Sequence, residues 1–157
     1  MEENSTNALM IAAGVLISVM IISLAVYLFK SSADFAESYY ADINSKATQA
    51  FNNKFEIYNT DEVTIQDMVS IANFARDTNI KNGVENDKNS SIYIQVILYN
   101  GSKHLETMDR EQLYKFMEEN TFIDNDPSKG EQKYKCKGIE YDENTQRVNK
   151  ITFEIKK

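Results

Sequence analysis

Twenty-two consecutive residues, Ala8 to Phe29, carry no charge and read ALMIAAGVLISVMIISLAVYLF. As a helix rising about 1.5 Å per residue they extend about 33 Å, enough to cross a hydrocarbon core of about 30 Å. A buried core helix of a soluble protein is seldom this long without a polar face. A cleavable signal peptide is the other reading. It calls for a basic n-region, a shorter apolar core and small residues at the cleavage site. Residues 1–7 instead hold Glu2 and Glu3 and no Lys or Arg, and the run closes on Tyr27, Leu28, Phe29 and Lys30. Aromatic residues favour the membrane boundary, and a lysine there snorkels to the headgroups. The expectation is a single-pass anchor over 8–29 with membrane lipid as its partner, preceded by a tail over 1–7.

Inside the anchor, Gly14 and Ser18 form a small-xxx-small pair, with Ala8, Ala12 and Ala13 nearby. Such pairs let two helix backbones approach closely in lipid. Small residues are also simply common in membrane helices, so both readings stand at this point.

The water-side part begins without a break. Ser31 to Phe55 contains no Gly or Pro, and Phe35, Tyr39, Ile43, Ala47, Phe51 and Phe55 recur at every fourth place. Read as an apolar helical stripe, they predict one helix of about 48 residues and about 70 Å running from membrane into water. Residues 30–58 are thus an amphipathic stalk, with a break at Ser31-Ser32 as the alternative. Phe51 and Phe55 should pack on the head near Ile65, Met68 and Phe74. Phe35, Tyr39 and Ile43 lie close to the membrane and should be bare in a monomer, then covered by neighbouring copies or a partner.

Residues 59–157 form the head. Thr64-Ile-Gln-Asp67 has the capping-box pattern and opens a helix to about Thr78. Asn82-Gly83 is a stop signal. Ser91 to Tyr99, SIYIQVILY, is β-branched and aromatic on both faces, which predicts a central strand. Asn100-Gly101 predicts a type I′ turn to a return strand over 102–107. Asp109, with Gln112 three places on, caps a helix to about Asn120. Strands follow at 132–141 and 146–155. Apolar positions change parity at Gly138, the mark of a β-bulge. The expected fold class is α+β: an antiparallel four-stranded sheet of two hairpins, with two helices.

Chemistry-bearing motifs are sparse. After Lys30 the chain has sixteen basic and twenty-two acidic residues, a net −6, which disfavours nucleic acid as a partner. Asp124-Asn-Asp126-Pro-Ser128 opens like an EF-hand loop but has Lys129 where glycine is required and Lys135 where a bidentate Glu is needed. The only histidine, His104, and the only cysteine, Cys136, fall on different hairpins. There is no P-loop, GxGxxG or GxSxG. Lys133, Lys135 and Lys137 line one strand face, either for an anionic partner or as edge protection. No catalytic, cofactor or metal residue is assigned, and the chain reads as non-enzymatic.

The layout of an apolar helix, an amphipathic continuation and a small α+β head resembles type IV pilin-like proteins. In that family the apolar helices bundle into a filament core or pseudopilus. The layout is also similar to small single-pass proteins of Gram-positive bacteria and their mobile elements. The pilin-like resemblance implies a structural subunit or accessory of a bacterial surface or secretion machine, self-associating through anchor and stalk. The alternative function is a membrane-tethered ligand- or protein-binding module. Lys30, the basic residue beside the span, favours a cytoplasmic head. The pilin-like layout favours an extracytoplasmic one, which is the expectation adopted.

Overall fold

The computed structural model describes residues 2–98 and 103–156. Helix α1 runs unbroken from Glu2 to Glu56, so the chain does not break at Ser31-Ser32. The chain divides into two compact units, Met1–Lys46 and Ala47–Lys157. In the first, the apolar segment is helical throughout and its residues are exposed. Among the described residues one helix is long and apolar enough to cross a membrane.

The second unit is α+β. Helix α2 spans Ile65–Lys81, with both hydrogen bonds of the Thr64/Asp67 capping box formed. Asn82 caps its C-terminus, and Gly83 follows at φ +67°, a conformation glycine adopts without strain. Helix α3 spans Arg110–Asn120 behind a second complete capping box, Asp109/Gln112. Among the described residues, short 3-10 turns at Leu105–Thr107, Ile123–Asn125 and Pro127–Lys129 supplement the two head helices that the sequence predicts.

The four strands are β1 (Gln95–Leu98), β2 (Lys103–His104), β3 (Tyr134–Tyr141) and β4 (Val148–Ile155). Their order is β2-β1-β4-β3. Both expected hairpin pairings are antiparallel, β1 with β2 and β3 with β4. The sheet as a whole is not. β1 and β4 pair in parallel, with Val96 opposite Ile151 and Leu98 opposite Phe153. The expectation of a purely antiparallel sheet is therefore corrected to a mixed one. Apolar content explains the arrangement. Val148, Ile151 and Phe153 of β4 are fully buried, so β4 takes an interior place. β3, with Lys135, Lys137 and a bulge, takes the edge, where such features discourage further pairing.

Strand lengths also differ. The first strand starts at Gln95 rather than Ser91, because Asn79 of α2 takes the place of a neighbouring strand. Its amide donates to the Ile94 carbonyl and accepts from the Ile94 N–H, both at 2.9 Å. The return strand stops at His104, where the 3-10 turn begins. The Asn100-Gly101 turn lies outside the described residues. At Gly138 the ladder does shift: Cys136 pairs with Phe153 and Gly138 with Thr152, leaving Lys137 extra. A second shift, not anticipated, leaves Asn149 extra between Val148 and Lys150.

The last turns of α1 belong to the head. Phe55 is fully buried in the core with Ile65, Met68 and Phe153. Phe51 and Phe55 both contact the Phe74 ring, at centroid distances of 6.1 and 5.6 Å. Asn52 repeats the device of Asn79. Its amide donates to the Gln146 carbonyl at 2.8 Å and accepts from the Val148 N–H at 2.9 Å. Gln146 sits at φ +56° in that turn, and the Arg147 guanidinium lies 3.9 Å over the Phe51 ring. Replacing Asn52 by leucine orphans a buried donor. Asn52→Leu is expected to cost about 1–3 kcal/mol, and Asn52→Asp, which keeps the acceptor, less. The urea midpoint of the full chain in detergent micelles measures both. An unchanged midpoint for Asn52→Leu would mean the clasp is dispensable.

Candidate functional site

Two places in the molecule carry features that packing alone does not require. The first is the exposed part of α1 in the unit Met1–Lys46. Phe35 is 71% exposed, Tyr39 55% and Ile43 43%. The Phe35 and Tyr39 rings stack, with centroids 6.2 Å apart and planes 15° apart. Tyr40 meets Tyr39 edge-on. Side chains of this size are usually buried, and a cluster of them on a helix marks a surface that meets something else. Farther up, Ser18 donates its hydroxyl to the Gly14 carbonyl at 2.8 Å. That hydroxyl is thereby satisfied within its own helix. A Cβ added at Gly14 would meet nothing within 4 Å. Of the residues singled out from sequence, then, Phe51 and Phe55 lie in the head core. Gly14, Ser18, Phe35, Tyr39 and Ile43 lie on the open helix.

The second place is a polar centre under a cleft of about 430 Å³. Arg76, Asn79, Glu85, Lys88, Tyr93 and Glu106 are among its lining residues. The Glu106 side chain is fully buried. Its carboxylate accepts from the Val96 N–H at 2.9 Å and from the Tyr93 hydroxyl at 3.2 Å, and it lies 3.0 Å from His104 Nδ1. The Val96 bond caps β1 where β2 has already ended. Burial, reinforced by the Glu106 charge and hydrogen bond, raises the Tyr93 phenol well above its ordinary range. Arg76 is held by the Met108 carbonyl and by Asp77, at 3.1 Å each. Chemically, the cleft presents both signs of charge above a fixed, buried carboxylate. Sequence reading missed Glu106. The available signal was a glutamate two places after the strand histidine, followed by the cap of α3.

His104 and Cys136 lie on β2 and β3, the two outer strands, with β1 and β4 between them. Three strand spacings amount to about 14 Å, too far for a nucleophile and its base. Burial raises the Cys136 thiol above its usual value, against a smaller lowering by the Gly138 backbone. The sequence reading has Cys136 buried; it is only half-buried. Lys135 pairs with Glu154 at 3.0 Å. In the 124–130 loop, Lys129 pairs with Asp124 at 2.8 Å, and Asp126 caps the 3-10 turn at Pro127. Ser128, through its hydroxyl and N–H, holds the Asp126 carboxyl below its ordinary value. Among the described residues, no group of three or more His, Cys, Asp and Glu side chains could hold a metal ion.

Comparison with family models, with curated proteins and with solved structures finds no match to this chain.

Proposed function

We propose that this chain is a single-pass membrane protein with a non-catalytic role in assembly. In this reading α1 is both its anchor and its contact surface. The observation that carries the proposal is the exposed cluster Phe35, Tyr39, Tyr40 and Ile43 on a helix continuous with the apolar segment. Full burial of each large apolar side chain is worth about 1.5–3 kcal/mol. Covering several together supplies a driving force that the lipid-facing segment lacks, since lipid tails are as apolar as the residues they touch. The finer reading is a pilin-like subunit, or an accessory component of a bacterial surface or secretion machine, with its head outside the cytoplasm. A membrane-tethered binding module is the second reading. The cleft above Glu106 favours it.

Crosslinking tests the choice. Tyr39→Cys and Ile43→Cys, combined in one Cys136→Ser chain so that each copy can link to two others, are oxidised in native membranes. Assembly gives ladders of dimers and higher species. Monomer alone, from a chain whose head is still folded, would leave the binding module as the better reading.

A further inference from the structure

We infer that α1 meets a second copy of this chain, parallel and in register, along one seam of seven-residue repeat that runs from Gly14 to Tyr39. The inference rests on the assembly reading and specifies its partner and its face.

The seam is a matter of spacing on a helix that does not break. Gly14, Ile21, Leu28 and Phe35 are seven apart. Ser18, Ala25, Ser32 and Tyr39 are seven apart, each four places after a member of the first row. Two rows offset by four and three are the pattern of a coiled-coil core, and a strict seven-residue repeat favours a left-handed supercoil. The second row is small up to Ser32, which lets the backbones approach. Small residues alone are common in membrane helices and would not mark a face. The aromatic pair does. The seam leaves the membrane and ends on Phe35 and Tyr39, the two rings already stacked on one side of the helix and both mostly exposed.

Charge placement argues for a second copy as the occupant. Copies inserted by the same anchor share direction and depth, so each charge in a bundle meets its own like. Lys30, Asp34 and Glu37 project within about 50° of the side opposite the seam, by the 100° per residue of an α-helix. The flanking places on the water side, Ser31, Ser38, Ala36 and Ile43, carry no charge. Like charges are therefore kept apart where identical helices would touch. The next two places of the repeat are Asp42 and Lys46, which bond each other at 2.7 Å within the helix. The apolar seam stops there.

The test is a cysteine scan of the full chain in membranes. Each residue from Leu28 to Tyr39 is replaced singly by cysteine in a Cys136→Ser background and oxidised. Dimer yield should peak at positions 28, 32, 35 and 39 and be several-fold lower at 30, 34 and 37. Equal yields throughout, or peaks on the charged side, would overturn the seam and leave the assembly reading in place. Adducts at seam positions with a mass other than a dimer would replace the second copy by another protein. No adduct at any position would overturn both readings.

Discussion

Glu106→Ala is expected to destabilise the head by about 3 kcal/mol or more, a large share of the 5–15 kcal/mol that holds a small domain together. The carboxylate is the partner of the Val96 N–H, the Tyr93 hydroxyl and His104 Nδ1. The residue is 2% exposed, so water does not readily take its place. Truncation leaves buried donors without an acceptor and opens a cavity, and both terms act in one direction. Glu106→Gln keeps the volume and one acceptor oxygen but turns an NH2 toward donors. It should cost about 1–2 kcal/mol. Tyr93→Phe in the Glu106→Ala background should cost less than in the native chain, because the phenol has by then lost this acceptor. The chain contains no tryptophan, so near-UV dichroism of the tyrosines is the signal. It is followed in urea on the full chain in micelles. A Glu106→Ala midpoint indistinguishable from the native one would mean that water or a rearranged side chain serves those donors.

Local signals are legible in the sequence where one residue type answers one backbone need. Thr64/Asp67 and Asp109/Gln112 satisfy the free N–H groups at two helix starts. The parity change at Gly138 appears as a shift in the ladder. What the sequence did not disclose depends on contacts between distant segments. The parallel β1–β4 pairing is one case: apolar content suits β4 to an interior place, but nothing in either strand states the direction in which the two will pair. The buried polar side chains among the described residues are another. Asn52, Asn79 and Glu106 each bond backbone groups where the strand ladder ends or has not begun. Asparagine on a helix reads as surface, and only the fold brings the strand to it.

The row at every fourth residue of α1 reads in the sequence as one apolar stripe, but it does not form one face. Four residues advance an α-helix by about 400°, so each step turns the row by about 40°, and the five steps from Phe35 to Phe55 turn it by about 200°. A single straight surface cannot cover such a spiral. Phe55 is buried in the head core and Phe51 packs against it, while Phe35 and Tyr39 remain exposed. The Gly14–Tyr39 seam departs from this row at Tyr39 because its mean period is 3.5, not 4.

Above about pH 10 the head should lose stability steeply. Tyr134 is fully buried and donates its hydroxyl to the Asn120 carbonyl at 2.8 Å. Burial pushes its phenol up to about 12, against about 10 in an unfolded chain. The folded state therefore holds a proton that the unfolded state releases. Below about pH 10 both states are protonated and this residue adds no slope. Between about 10 and 12 the unfolded state binds fewer protons, so unfolding becomes easier as pH rises. Two units at about 1.4 kcal/mol each give a loss of about 2–3 kcal/mol from Tyr134. Tyr93 acts in the same direction, raised by burial and then by the Glu106 charge. Urea midpoints of the full chain in micelles, taken at intervals from neutral pH to about 11.5, measure the slope. Tyr134→Phe removes the titrating group and loses one hydrogen bond, at a cost of about 1 kcal/mol at neutral pH. Its midpoint should then fall more gently than that of the native chain above about pH 10. Parallel curves for the two proteins would mean that the Tyr134 phenol ionises as freely in the folded head as in the unfolded chain.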